Sequence, residues 1–531
     1  MYTKDIRVRN KDKLVELIYC CGDQYQQDLA SMILGEKVMN NNESMGGEWP
    51  PLVQGLLDYA NHGYFGWHMP GHHFGRSAWE PWRELLGDSV FIMDGAAELP
   101  GLDNLHDPQG IILKAEEEAA SFFGAAEVRF LVNGSTQGNL AVLMGCCREG
   151  DMVFVPRNCH QSVVHGLVLS GATPIYLPVR WHSDFGLIGI LQTDDLKQTL
   201  KNYQGSGGLL MLLHPNYYGM TGDLLGQVEL AHQYGLQVMV DEAHGSHFCV
   251  GEQFPMPALV AGADFAVMGA HKTLGAFGQA SWLHFREQGA ATANVKRAMR
   301  LVETTSPSYL LLASLDVARY QLQQSQEIWQ ETAALGNRLR QIINSIPGLW
   351  APGEEFLQIP EVCAYDPTRL AVKVSGLGIT GIEAKKWLQQ HQRMVLDMAD
   401  LHYLVYILSP DDIGPMADAL VNGLRALATE YESNVNKSLC SRDINELELP
   451  IPRQVITPRQ AFFSQGRKIP LIESVGKIAG ETITPYPPGI PLICPGEVID
   501  NTVLECLDAW RQAGGIWSGL SSGMITVIDN D

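Results

Sequence analysis

The chain has 531 residues, too many for one compact core, and its 46% hydrophobic and 18% charged content excludes a disordered chain. A formal net charge of −22 keeps it soluble and makes nucleic acid and anionic membrane poor partners. Its 10 cysteines are scattered, with no CxxC pair and no zinc spacing, so reduced thiols in a cytoplasmic protein and no metal centre are expected. The start of the chain has no apolar signal core, and no later run is long enough to span a bilayer.

In chain order, residues 1–46 are mostly polar. They read as an N-terminal extension with one helix over 11–34 and a flexible linker into Gly46-Gly47. A large domain is expected over 47–345 and a smaller α+β domain over 346–531. An amphipathic helix over 50–61 leads to His68-Met69-Pro70-Gly71-His72-His73. Three histidines in six residues invite a metal, but there is no HExxH and no partner at ligand spacing; a turn near an active site is preferred. A loop rich in acids and turn residues follows at 94–110, then a helix at 111–123.

A strand at 128–132 runs into Asn133-Gly134-Ser135-Thr136 and a helix at 140–147. Free backbone N–H groups, a positive helix end and two hydroxyls would make an anion site there; an ordinary N-cap by Ser135 or Thr136 is the equal alternative. A strand at 151–155 ends in Arg157-Asn158-Cys159-His160. The flat imidazole of His160 can stack on an aromatic cofactor ring, or merely cap the next helix or sit in the core.

Strands at 173–177, 208–213, 236–240 and 264–268 alternate with helices, which indicates an α/β fold with a mostly parallel sheet covered on both faces. In such a fold, ligands bind at the C-terminal ends of the strands. Asp241 stands at one such end and Lys272 in a turn after another. A carboxylate that keeps a ring nitrogen protonated and a lysine that forms an imine would define a cofactor enzyme. Asp241-Glu242-Ala243-His244 also spells a helicase box, but no GxxxxGK[ST] precedes it, and no GxGxxG supports a dinucleotide. Beyond a polar stretch at 301–309, a long helical region is expected over 310–346. A strand at 370–374, helices at 382–392 and 416–432, polar segments at 433–445 and 450–459, and a rigid proline-rich loop from Pro485 to Pro491 complete the chain.

Taken together, these motifs resemble the bacterial Orn/Lys/Arg decarboxylase family, which has the aspartate aminotransferase-like fold of PLP-dependent transferases. The resemblance covers about residues 50–500. It is carried by His68-Met69-Pro70-Gly71-His72, Glu98-Leu99-Pro100-Gly101-Leu102-Asp103, Asn133-Gly134-Ser135-Thr136, Arg157-Asn158-Cys159-His160, Asp241-Glu242-Ala243-His244-Gly245, His271-Lys272-Thr273-Leu274, Thr305-Ser306-Pro307-Ser308-Tyr309 and Pro485-Tyr486-Pro487-Pro488-Gly489. It implies pyridoxal 5′-phosphate bound covalently by Lys272, with Asp241 on the pyridine nitrogen and His160 on the ring face. Ser135, Thr136, His271 and the Gly134 turn take the phosphate, Ala243 lies against the ring, and His244 stands near the reacting carbon. Glu98, Ser306 and Ser308 approach the substrate, partly from a second subunit, in a homodimer or larger even-numbered assembly.

The implied reaction is decarboxylation of arginine, lysine or ornithine to CO2 and an amine. Elimination, cyclisation or transamination on a related substrate is the alternative. Several positions depart from the family pattern. Gly269-Ala270 stand where Ser-Thr is usual, which removes a phosphate hydroxyl, and His73, Ala97, Gln161 and Gly275-Ala276-Phe277-Gly278 also differ.

Overall fold

The computed structural model describes residues 49–528 apart from 65, 98, 204, 206, 207, 433–449, 487, 488, 513, 521 and 522. The expected extension over 1–46, its helix at 11–34, Glu98 and the polar segment 433–445 lie outside the described residues. The chain divides into two units: Met1–Ala115 with Ser306–Asp316, and Glu116–Thr305 with Val317–Asp531.

The first unit opens with the helix Pro51–Asn61, whose proline at the first turn needs no N–H partner. Leu52, Val53, Leu56 and Tyr59 recur at helical spacing and are buried. The Asp103 carboxylate collects the backbone N–H groups of Asn104, Gln109, Gly110 and Ile112, which fixes the acid-rich loop. The Tyr309 hydroxyl accepts from the Asp103 N–H at 2.7 Å and donates to the Asp103 carbonyl. Of the clustered histidines, His72 pairs with Asp94 at 3.2 Å and His68 with the Tyr59 hydroxyl at 2.9 Å. Among the described residues, no three metal-binding side chains converge.

The second unit is built on seven strands: β1 (Glu127–Leu131), β2 (Met152–Pro156), β3 (Thr173–Leu177), β4 (Leu209–Leu213), β5 (Gln237–Asp241), β6 (Phe265–Met268) and β7 (Ser281–Phe285). Their order is β1-β7-β6-β5-β4-β2-β3. The pairs among β6, β5, β4, β2 and β3 are parallel, and β7 runs antiparallel to both of its neighbours. All six strands expected at 128–268 are present, and β7 is the addition. Its five residues are all buried, so no polar alternation announces a strand in Ser-Trp-Leu-His-Phe.

Side chains alternate across the sheet. Val238 and Val240 of β5 join Leu210 and Leu212 in the core on one face, and Met239 joins Met211, Val155 and Val267 on the other. Each such buried side chain stabilises the fold by about 1.5–3 kcal/mol. The helix expected at 140–147 starts a turn and a half earlier, as Gly134–Cys146. The long helical region expected at 310–346 is two helices, Tyr309–Gln324 and Gln326–Asn344, broken at Ser325.

Beyond these, Arg369–Lys373, Tyr403–Ile407 and Met398–Ala399 form an antiparallel sheet, and the helices Gly381–Gln392 and Pro415–Glu430 share its core. A second antiparallel sheet joins Gly466–Pro470, Met524–Ile528 and Ile478–Ala479. In the proline-rich segment, expected as a rigid loop, Thr484–Tyr486 is a short strand paired with Ile516–Ser518.

Candidate active site

The sheet's parity decides where Asp241 points. It lies two residues after Met239, so its carboxylate takes the face covered by the helix Gly134–Cys146. Asn139 of that helix donates to Asp241 Oδ2 at 2.9 Å, and the Ala243 N–H donates to Oδ1 at 3.2 Å. The same Asn139 amide donates to Ser162 Oγ at 2.8 Å, and Ser162 Oγ lies 2.8 Å from His160 Nδ1. One polar chain therefore runs from the imidazole of His160 to the carboxylate of Asp241. Glu242, next in sequence, is also fully buried but serves the loop behind, where its Oε1 accepts from the Ala258 N–H at 3.0 Å.

His160 caps the next helix and also lines a cavity. Its Nδ1 accepts from the Ser162 N–H and so caps the helix Gln161–Ser170, and the cavity measures about 910 Å³. Burial lowers its pKa to about 4; Asp241 opposes the shift and Lys272 adds to it. Ser135 and Thr136 are not caps. The helix begins at Gly134, whose φ of +73° suits a residue without Cβ, and no side chain caps its first turn. Gly134, Ser135 and Thr136 all line the cavity. Ser135 Oγ meets Ser281 Oγ, from β7, at 3.2 Å.

Lys272 sits in the one-turn helix Ala270–Thr273. Its Nζ is 3.2 Å from His244 Nε2, and the opposite nitrogen, Nδ1, accepts from Arg369 Nη2 at 2.7 Å. Burial pulls the Lys272 amine below the ordinary lysine range; Asp241 opposes this and Arg369 reinforces it. Burial, with Lys272 and Arg369 close by, holds His244 well below the usual histidine range. Burial also lowers His271, whose Nδ1 lies 2.8 Å from the Ala280 carbonyl. Tyr217 packs edge-on against His244 with centroids 4.9 Å apart.

Nine of the residues marked in the sequence converge on this one cavity: Gly134, Ser135, Thr136, His160, Asp241, Ala243, His244, His271 and Lys272. Ser306 and Ser308 belong to the other unit. Sequence reading missed Asn139, Tyr217, Arg369, Asp397, Asp400 and His402. Asp397 accepts from the Tyr217 hydroxyl at 2.9 Å, and Asp400 from the Tyr218 hydroxyl at 2.6 Å; both acids line the cavity. Only the polar ends of Asn216-Tyr217-Tyr218 after a buried strand could have hinted at part of this group.

A low-basicity amine, a buried carboxylate, a flat imidazole and an uncapped helix start with two hydroxyls form one set. They match the aldehyde, ring nitrogen, ring face and phosphate of a pyridoxal phosphate, so the residues present fit that group. They mark the cavity as the candidate active site of an α/β enzyme, with a buried lysine amine in its wall.

Comparison with known proteins agrees. The major domain of the Orn/Lys/Arg decarboxylases matches residues 50–413, and the C-terminal domain of the same family matches 442–524. An arginine decarboxylase of Bacillus subtilis is 36% identical over 87% of this chain and 94% of its own length. One from Halalkalibacterium halodurans is 35% identical over 88% and 94%. The crystal structure of a Francisella novicida lysine decarboxylase superposes with a TM-score of 0.78 at 21% identity, covering 91% of this chain and 81% of that one. The fold is thus the aspartate aminotransferase-like α/β fold, and the chain belongs to the Orn/Lys/Arg decarboxylase family of enzymes.

Proposed function

We propose that this protein removes the α-carboxyl group of a basic L-amino acid as CO2, with pyridoxal 5′-phosphate as its cofactor. The carrying observation is the convergence of Lys272 Nζ, the Asp241 carboxylate, His160 and the Ser135-Thr136 helix start on one cavity. The names of four relatives at 34–36% identity favour arginine over lysine and ornithine. Two carboxylates in the cavity wall, Asp397 and Asp400, suit a cationic side chain.

When bound, the cofactor supplies an electron sink for the bond broken at the α-carbon. Lys272, held at low basicity, is the amine that bonds it covalently. Asp241, kept in place by Asn139, holds a proton on the ring nitrogen. His160 would cover a face of the cofactor ring, and Ala243 would lie against the ring. Ser135, Thr136, His271 and the amides after Gly134 take the phosphate. His244 and Lys272, 3.2 Å apart, are the groups that move a proton at the α-carbon. Glu98, Ser306 and Ser308 are assigned to substrate, and a homodimer or larger even-numbered assembly in the cytoplasm to the protein, on the family resemblance. The change near residue 350 from long helices to mixed short strands and helices supports a large domain over 47–345 and a small one over 346–531.

The test is twofold. The protein supplied with pyridoxal phosphate should show the absorbance of a lysine-bound cofactor, and Lys272→Ala should lose it; a wild type without that band refutes the cofactor. Incubation with arginine, lysine and ornithine should release CO2 from at least one. No CO2 from any of them refutes decarboxylation and favours another reaction on the same cofactor.

A further inference from the structure

We propose that Arg369 is a positioning residue that fixes the tautomer of His244 and thereby holds Lys272 as a free amine. Arg369 is 1% exposed and does not line the cavity, so it acts through another side chain. Its Nη2 is 2.7 Å from His244 Nδ1. A guanidinium has only donors and keeps its charge in a protein, so Nδ1 must be the acceptor. The neutral imidazole then carries its proton on Nε2. That N–H faces Lys272 Nζ at 3.2 Å, and a donor facing an amine at that distance requires a lone pair on the amine. Lys272 is therefore in the form that attacks a carbonyl carbon.

Further contacts surround the Arg369 guanidinium. The guanidinium packs over the Tyr217 ring at 5.8 Å, the same ring that abuts His244, and its Nη1 stands 3.6 Å from Asp397. The groups facing His244 are Lys272 and His271 from the one-turn helix, His160 from the end of β2, Arg369 and Tyr217. Around Lys272, Asp241 and Asp397 favour its charged form, while burial and Arg369 disfavour it. Burial points the same way as the hydrogen bonds.

Only the consequence for catalysis rests on the proposed function; the tautomer and the amine can be read on the full chain without cofactor or substrate. Nitrogen-15 histidine spectra, with His244 assigned by difference from His244→Gln, should show a bare Nδ1 and a protonated Nε2. Lys272 should react with acetic anhydride, followed by mass spectrometry, at lower pH than the surface lysines. In Arg369→Met the labelling midpoint should rise by about one pH unit, about tenfold in free amine. Arg369→Lys, which keeps a cationic donor without an acceptor, should hold the midpoint nearer the wild type. A merely structural role would change the amount of labelling, not its midpoint. An Nδ1–H ring or an imidazolium in the wild type overturns the proposal, and so does an unmoved midpoint in Arg369→Met. The wild-type spectrum decides the tautomer even if a variant fails to fold.

Discussion

Gly269→Ser would restore the residue usual in the family, one position before Ala270 in the run to Lys272. In this structure a Cβ at 269 would stand 2.7 Å from the Ala243 carbonyl oxygen, and 3.2 Å from both Ser135 Oγ and Lys272 Cδ. The first neighbour is backbone at the end of β5, so no rotamer relieves it. Forcing extra volume into a packed site costs about 1–3 kcal/mol. Against this stands the new hydroxyl, worth about 1.5–3 kcal/mol if it donates to a phosphate. That gain exists only with cofactor bound, and it comes with displacement of a hydroxyl and a lysine stem already in place. The expected result is a chain less stable by about 1–3 kcal/mol in urea unfolding without cofactor, and weaker retention of pyridoxal phosphate in an absorbance titration. A variant within about 0.5 kcal/mol of the wild type, or one that holds the cofactor more tightly, would refute the steric account of Gly269.

Two further outcomes follow from the same framework. His214 is buried with its Nε2 2.9 Å from the Met256 carbonyl, and burial lowers its pKa from 6.5 to about 4. Because the folded state binds its proton less well than the unfolded chain, this stability is present above pH 6.5 and is lost as pH falls towards about 4. The loss reaches about 2 kcal/mol by about pH 5. His214→Gln, which keeps a donor to Met256, should lose that much less between about pH 7.5 and about pH 5 in denaturant unfolding; equal losses would contradict it. Arg157 and Glu497 form a buried two-pronged pair at 2.9 and 3.1 Å that ties the end of β2 to the C-terminal segment. Glu497→Leu strands the guanidinium and should destabilise by about 3–5 kcal/mol, loosening the turn that carries His160. A thermal melt unchanged from the wild type would show the pair to be dispensable.

Much of the site was legible because it is local. A carboxylate at the end of an apolar run, a lysine in a small-residue turn and a Gly-Ser-Thr helix entry each declare themselves within a few residues. Even the face that Asp241 takes follows from two-residue periodicity and the apolar Met239 before it. The seven-stranded order and β7 were not legible. A strand buried on both faces has no alternation to read, and neighbours in a sheet need not be neighbours in sequence.

What the sequence by itself determined is the chemistry: which side chains carry an amine, an acid and an imidazole, and that they stand at strand ends of an α/β fold. What only the tertiary structure decided is their ionisation and orientation. Asn139 reaches Asp241 across 102 residues, and Arg369 reaches His244 across 125. A hydrogen bond acts over about 3 Å of space and is indifferent to chain separation. The groups that fix a proton's place on His244 and a lone pair on Lys272 therefore leave no spacing for a sequence to show.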